Sequence, residues 1–388
     1  MADLPIFDAV TLTQNQVRCA SVTPRDEGAL DTLVRPLEQL GFTIYRLRFE
    51  EEGYPPIDNV FARRGSIGPH LCYMGHTDVV PAGRAEDWTH DPYGAVIENG
   101  VLYGRGVADM KGGNAAFVAA ASEFLHKKSN FKGSISLLLT GDEEAHSVNG
   151  TVKVIDWMKA HGHLPDVALV GEPSNFTHMG ENVRVGRRGS LTGQLFVEGV
   201  QGHSAYPERA NNPVHHLVKL LHRLISEKFD EGTPEFPATH LVVASADVGN
   251  TASNVIPARA HALFNMRFNN LWTAQTLETH LRQILDEVGS PYTLKVRSNS
   301  PCFLTPDSPW RRLVMDSIAR ISGKPPRPDT GGGTSDARFM SPYCPVVEYG
   351  LLNATIHKVD ERAPVEDIQI LTATFTDILL SYFRDEAR

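Results

Sequence analysis

A chain of 388 residues is longer than most single domains, and 41% hydrophobic with 21% charged residues is the profile of a globular protein with a sizeable core. Its net charge of −9 excludes the basic surface that non-specific binding to nucleic acid or anionic membrane requires. The N-terminal "MADLPIFDAVTLTQNQ" has neither a basic start nor an apolar stretch of secretory type, and no segment reaches membrane-spanning length, so a cytoplasmic protein is expected.

In chain order, "EGALDTLVRPLEQLGF" places leucines at helical spacing and is followed by the alternating strand "TIYRLRF". Short apolar runs then recur: "HLCYM", "ISLLLT", "VALV" and, much later, "PVVEYG". Runs this short and this apolar suit strands buried on both faces of a mostly parallel sheet. Helix-compatible stretches such as "NAAFVAAASEFLHKK" and "NGTVKVIDWMKAHG" separate them, an α/β pattern. Between about 188 and 302 the rhythm changes to strand, helix, strand, strand, helix, strand, the order of a ferredoxin-like α+β module. Three segments are therefore expected: 1–187 and 303–388 as two parts of one α/β domain, and 188–302 inserted between them. The four cysteines, Cys19, Cys72, Cys302 and Cys344, have no CxxC spacing and read as buried, reduced thiols.

Chemistry gathers at the ends of the apolar runs. "HLCYM" leads into "GHTD" (His76, Asp78), "ISLLLT" into "GDEE" (Glu143, Glu144) and "VALV" into "GEP" (Glu172). In an open α/β sheet the carboxyl ends of the strands face the ligand crevice. Asp109 in "YGRGVADMKGG" and His357 in "NATIHKVDE" are further candidates. Each has a plainer reading: an acidic surface corner for "DEE", a helix N-cap for Asp109, an exposed loop histidine for His357. Together they are imidazoles and carboxylates without thiolate, a set for zinc, with cobalt or manganese as substitutes, and numerous enough for two ions sharing a carboxylate.

The motifs "MGHTDVVPAG", "GRGVADMKGG", "GDEE", "GEP" and "TIHK" resemble the metallopeptidase family M20 of two-zinc hydrolases, and the similarity runs in order along nearly the whole chain. The longer stretches "GRRGSLTG", "GVQGHSAYPERANNPV", "TASNVIPA", "TGGGTSDARF" and "LLNATIHKVDERAPVEDI" are similar to the branch that cleaves N-succinyl-L,L-2,6-diaminopimelate. The resemblance implies a zinc-hydrolase-like mixed, mostly parallel sheet and an inserted ferredoxin-like lid and dimerisation domain. It implies His76 and Glu172 on one ion, Glu144 and His357 on the other, Asp109 bridging them and followed by a cis peptide, Glu143 as general base, and Asp78 orienting His76. For the substrate it implies Arg187, Ser190, Tyr206, Asn254, Arg267, Gly333, Thr334 and Asn353, with His203 reaching the oxyanion from the partner of a homodimer. Plainer readings exist here too: Arg188 beside Arg187 in a surface ion pair, Asn254 capping a turn, "GGGTSD" as a flexible loop. Other activities of the family, such as acetylornithine deacetylase, aminoacylase or small-peptide aminopeptidase, share the metal residues. A non-catalytic binding protein on the same fold would require the loss of the base or of a ligand, and all six positions are occupied. Asp142 and His146 receive no role.

Overall fold

The computed structural model describes residues 4–384 and divides into two units. Of these, the first comprises residues 4–185, 305–329 and 335–384, the second 186–304 and 330–334.

The first unit is built on an eight-stranded sheet. Its order is Thr43–Glu51, Tyr54–Arg64, Ser134–Thr140, His70–His76, Val167–Val170, Val346–Glu348, Asn182–Arg184, Arg327–Asp329. The four strands from Ser134–Thr140 to Val346–Glu348 run parallel, the opening pairs and the Val346–Glu348 pairing with Asn182–Arg184 are antiparallel, and the last pair is parallel. The sheet is thus mixed and mostly parallel, as the unbroken apolar runs imply. Every residue of His70–His76 and Ser134–Thr140 is buried, because helices cover both faces at the centre of such a sheet. The helix Gly112–Lys127 is buried along most of its length, since its small residues let neighbours approach closely. Tyr73 on the central strand stacks on Phe117 of this helix at 4.2 Å, and Phe117 meets Phe375 of the closing helix Val365–Tyr382 at 5.8 Å. Asn114 fixes the helix to the strand by polar contacts: its Nδ2 donates to the His76 carbonyl (2.6 Å) and its Oδ1 accepts from the Tyr73 hydroxyl (3.1 Å). A Cβ at Gly75 would lie 2.0 Å from that Oδ1, so the close approach requires glycine there.

The second unit has a four-stranded, wholly antiparallel sheet in the order His240–Asp247, Arg259–Phe268, Gly189–Glu198, Thr293–Ser300. Helices Pro213–Ser226 and Ala274–Asp286 pack their leucines, among them Leu217, Leu220, Leu224, Leu277 and Leu281, against Leu191, Leu195, Phe264 and Phe268 of the sheet. The strand Gly189–Glu198 alternates buried and more exposed positions, the period-2 pattern of a sheet with one covered face. Each helix starts at a side-chain cap: Asn212 accepts from Val214 N–H, and Thr273 forms a capping box with Thr276.

All four cysteines are free. Cys72 and Cys344 are buried, but Cys19 and Cys302 are only partly so, which corrects the expectation of four buried thiols: Cys19 follows the end of the helix Ala9–Val17 and Cys302 lies between the strands Thr293–Ser300 and Phe303–Leu304. Among the described residues no helix is long and apolar enough to cross a membrane.

His70, at the start of the central strand, is buried, with Nε2 2.7 Å from Ser136 Oγ. Burial, aided by the nearby positive Arg63, pulls its pKa down to about 4. An unfolded histidine titrates near pH 6.5, so the folded state binds fewer protons between roughly pH 4 and 6.5, and stability falls as pH drops through that window. His70→Gln is expected to flatten the fall in urea-unfolding free energy across this window, by up to about 3 kcal/mol. An unchanged pH profile would assign the loss to other groups.

Candidate metal centre

Three neighbouring parallel strands end within two residues of one another. His76 pairs with Thr140, and Met74 pairs with both Leu138 and Val170. The chain leaving these ends therefore delivers His76–Thr77–Asp78, Asp142–Glu143–Glu144 and Glu172 to one edge. Asp109 enters from the turn Val107–Lys111 that precedes the helix Gly112–Lys127, and its peptide to Met110 is cis. The N-cap of that helix is Lys111, so Asp109 is not a cap. One Asp109 oxygen lies 3.2 Å from His76 Nε2 and the other 3.3 Å from His357 Nε2. His76 Nε2 is 3.6 Å from Glu172 Oε1, and His357 Nε2 is 2.9 Å from Glu144 Oε1. His357 sits in an exposed loop, as its plainer reading holds, yet its ring nitrogen points to the carboxylates.

Two sets of side chains offer ligand atoms within 4.8 Å of one another: His76, Asp109 and Glu144, and His76, Glu143 and Glu172. Two imidazoles thus face four carboxylates, and among the described residues no thiolate joins them. The donor chemistry fits divalent cations bound by oxygen and nitrogen, whose charge offsets the excess of negative groups. The same excess appears in the proton affinities. Hydrogen bonds to Asp109 and Glu144 raise the His357 pKa to about 10. Against the cost of burial, the bond to Asp109 and the charge of Asp78 hold His76 well above its ordinary value. Burial and the charge of Glu172 push Glu143 well above the usual carboxylate range. Although burial opposes it, hydrogen bonds from His357 and His76 keep Asp109 below that range.

His76 Nδ1 lies 2.9 Å from the Asp78 carbonyl, which can only accept. Nδ1 therefore carries a proton and Nε2 faces the carboxylates. The Asp78 carboxylate is farther from that ring, 3.6 Å, and accepts instead from the backbone N–H groups of Glu143 (3.3 Å) and Glu144 (3.1 Å). Burial raises its pKa to about 7. Asp78 thus contacts the imidazole through its backbone and holds the "GDEE" turn through its side chain.

The other expected residues fall into two groups. Asn353 belongs to the first unit, where its N–H donates to the Asn175 carbonyl. Arg187, Ser190, His203, Tyr206, Asn254, Arg267, Gly333 and Thr334 belong to the second. There Arg187 Nη1 donates to the Gly333 carbonyl (3.1 Å), Ser190 pairs with Arg267 across the sheet, and burial and the positive charge of Arg188 lower the Arg267 pKa. His203 and Tyr206 rings lie 5.8 Å apart, and Ser204 N–H donates to the Asn254 carbonyl. Ala205 N–H donates to His203 Nδ1, which leaves Nε2 as the ring's donor.

Two acids next to the centre were given no role from the sequence. Asp336, in the quoted "TGGGTSDARF", is buried and helps Glu143, Glu172 and Thr151 line a cavity of about 10 Å³, room for about one water. Its signal was an acid within a glycine-rich motif. Asp142 is the anchor of its loop: one oxygen accepts from His146 N–H, the other from Val148 (2.8 Å) and Asn149 (2.9 Å) N–H. Asn149 in turn donates to the Pro55 carbonyl and accepts from Asn59, tying the loop to the strand Tyr54–Arg64. His146 is exposed and meets the Tyr54 ring edge-on.

Residues 72–381 match the sequence model of Peptidase family M20/M25/M40. The chain belongs to the M20 peptidase family. Two curated relatives, both named succinyl-diaminopimelate desuccinylase, are 51% identical over 376 residues (Rhodospirillum centenum; 97% of each chain) and 50% identical over 378 residues (Beijerinckia indica; 97% of this chain, 99% of the relative). Among solved structures, an M20 family metallo-carboxypeptidase from Sulfolobus solfataricus aligns with a TM-score of 0.76 at 18% identity, covering 97% of this chain and 99% of that one. A tripeptidase from Staphylococcus aureus aligns with a TM-score of 0.77 at 18% identity, covering 97% and 98%. The M20 fold is therefore shared by members that differ in most of their residues.

The Asp142 anchor generates a prediction. Asp142→Ala strands three backbone donors and is expected to lower unfolding free energy by about 1–3 kcal/mol, whereas Asp142→Asn, which keeps one acceptor oxygen, is expected to lose less. Urea denaturation of both variants measures this; wild-type stability in the alanine variant would mean that water replaces the carboxylate.

Proposed function

We propose that the chain hydrolyses N-succinyl-L,L-2,6-diaminopimelate to succinate and L,L-diaminopimelate, a step towards diaminopimelate and lysine. The observation that carries this reading is identity of about half the residues, over 97% of the chain, to relatives bearing that activity's name. The meeting of two imidazoles and four carboxylates at one sheet edge supports it.

In this reading His76 and Glu172 hold one divalent ion, Glu144 and His357 a second, and Asp109 both; Zn2+ is the ion proposed, with Co2+ or Mn2+ as substitutes. The ions, when bound, polarise the amide carbonyl and lower the pKa of the attacking water. Glu143 takes the proton of that water and passes it to the nitrogen as the carbon–nitrogen bond breaks, so that the product leaves as an amine. Arg187 and Arg267 hold substrate carboxylates, for which a guanidinium fork is the fitting donor. Ser190, Tyr206, Asn254, Gly333, Thr334 and Asn353 complete the substrate contacts. The ferredoxin-like segment 188–302 serves as lid and dimerisation domain of a cytoplasmic homodimer. His203, whose Nε2 is free to donate, stabilises the oxyanion from the second subunit.

Glu143→Ala is expected to lower kcat by at least about 10²–10⁴-fold while the metal-free protein still takes up two Zn2+ per chain in calorimetric titration. Loss of an ion together with activity would make Glu143 a ligand, which its closeness to His76 and Glu172 permits. Assayed side by side with added zinc, N-succinyl-L,L-diaminopimelate is expected to be turned over with a higher kcat/KM than N-acetylornithine, and a chelator is expected to abolish turnover. Preference for the acetyl substrate would refute the assignment within the family.

A further inference from the structure

Glu361 is buried and spends its whole carboxylate on one short stretch of chain. Oε2 accepts from Arg105 Nη1 (2.7 Å) and Gly106 N–H (3.0 Å); Oε1 accepts from Ala108 N–H (3.0 Å) and Asp109 N–H (3.2 Å). The Glu361 carbonyl accepts once more, from Gly104 N–H at 2.9 Å. An ion pair with Arg105 would need only the first of these contacts. The other three side-chain bonds gather the backbone donors of the turn that presents Asp109, as a nest of N–H groups gathers around an anion.

The next residue, Arg362, closes the loop that presents His357. Arg362 N–H donates to Thr355 Oγ1 (3.2 Å), and that hydroxyl lies 3.1 Å from the Arg362 carbonyl, so residues 355–362 are shut at their base with His357 inside. Directly beyond, Arg362–Pro364 pairs antiparallel with Val101–Tyr103, the strand that leads into the Asp109 turn. Asp109 and Glu361 are 252 positions apart in sequence, yet strand pairing and one carboxylate join their segments within a few residues of where Asp109 Oδ2 meets His357 Nε2.

We infer that Glu361 is a positioning residue for the cation pair: its carboxylate sets Asp109 against His357, so that the shared carboxylate and the imidazole of the second site meet at ligand distance. This inference rests on the two-cation reading. Its energetic content is the cost of letting the Asp109 turn relax, and groups that orient metal ligands in this way typically contribute about 10–100-fold to affinity.

The test compares metal-free wild type, Glu361→Gln and Arg105→Gln by Zn2+ titration against a competing chelator, by Co2+ absorption and by thermal melting. Glutamine keeps the volume of Glu361 but has one acceptor oxygen instead of two. Glu361→Gln is expected to bind the weaker ion about 10–100-fold less tightly, with an altered Co2+ spectrum for that equivalent. Arg105→Gln, which leaves the carboxylate and its three backbone donors in place, is expected to melt lower while binding both ions as wild type does. Should Glu361→Gln fail to fold because Arg105 is left as a buried unpaired charge, the Arg105→Gln/Glu361→Gln double variant takes its place with the same expected loss of affinity. Wild-type affinities in the glutamine variant, or equal losses in the two single variants, would overturn the positioning role and leave an ordinary buried ion pair. Uptake of fewer than two ions by the wild type would instead overturn the two-cation reading on which it stands.

Discussion

Carboxylates brought together at the ends of adjacent buried strands repel one another, and much of the surrounding chain is arranged to hold them there. Asp109, Glu143, Glu144 and Glu172 converge within a space where two imidazoles, His76 and His357, face them, with Asp78 behind. Such a set is stable only when fixed donors and positive charge compensate the desolvated anions. The fold supplies the donors from its backbone: Asp78 is bonded by the Glu143 and Glu144 amides, Asp142 by the amides of the following turn, and Glu361 by the amides around Asp109. Acids outside the ligand set therefore keep the acids inside it in place.

The sheet explains why this is possible. Parallel strands ending within two residues of one another give three loops a common origin, and every residue of these strands is buried. Tyr73, Phe117 and Phe375 lock the central strand to two helices, and Asn114 reaches from one of these helices to the carbonyl of His76 itself. The ligand-bearing residue is thus the last of a rigid element and not the first of a mobile one, which suits a site whose geometry must be set before the cation arrives.

Much of this was legible in the sequence because it depends on adjacency. A buried parallel strand writes itself as a short apolar run, and the residue that follows is at the ligand edge by construction; His76, Glu143, Glu144 and Glu172 could be picked out on that ground. The rest depends on contacts between distant segments. Nothing near Glu361 announces that its partners are residues 105–109, and Asp78 reads as a partner for His76 until its carboxylate is seen to hold the next loop. The strand Tyr54–Arg64 opens with two prolines and hides its strand character, while the helix Val365–Tyr382 carries apolar residues around most of its circumference and so lacks the one-sided periodicity that marks a surface helix.

The interrupted first unit has a consequence for how the molecule is made. Its sheet takes strands from both sides of residues 186–304, and Val346–Glu348 is an interior strand of that sheet, beside Val167–Val170. A chain emerging from the ribosome from its N-terminus onward can complete the second unit's four-stranded sheet first, since those strands are continuous in sequence. The large sheet must wait with an open edge at Val167–Val170 until residue 348 has been made, and the loop bearing His357 comes later still. Birth order thus places assembly of the ligand cluster among the last events of folding, with an unpaired apolar strand edge that the nascent chain must keep from other partners in the meantime.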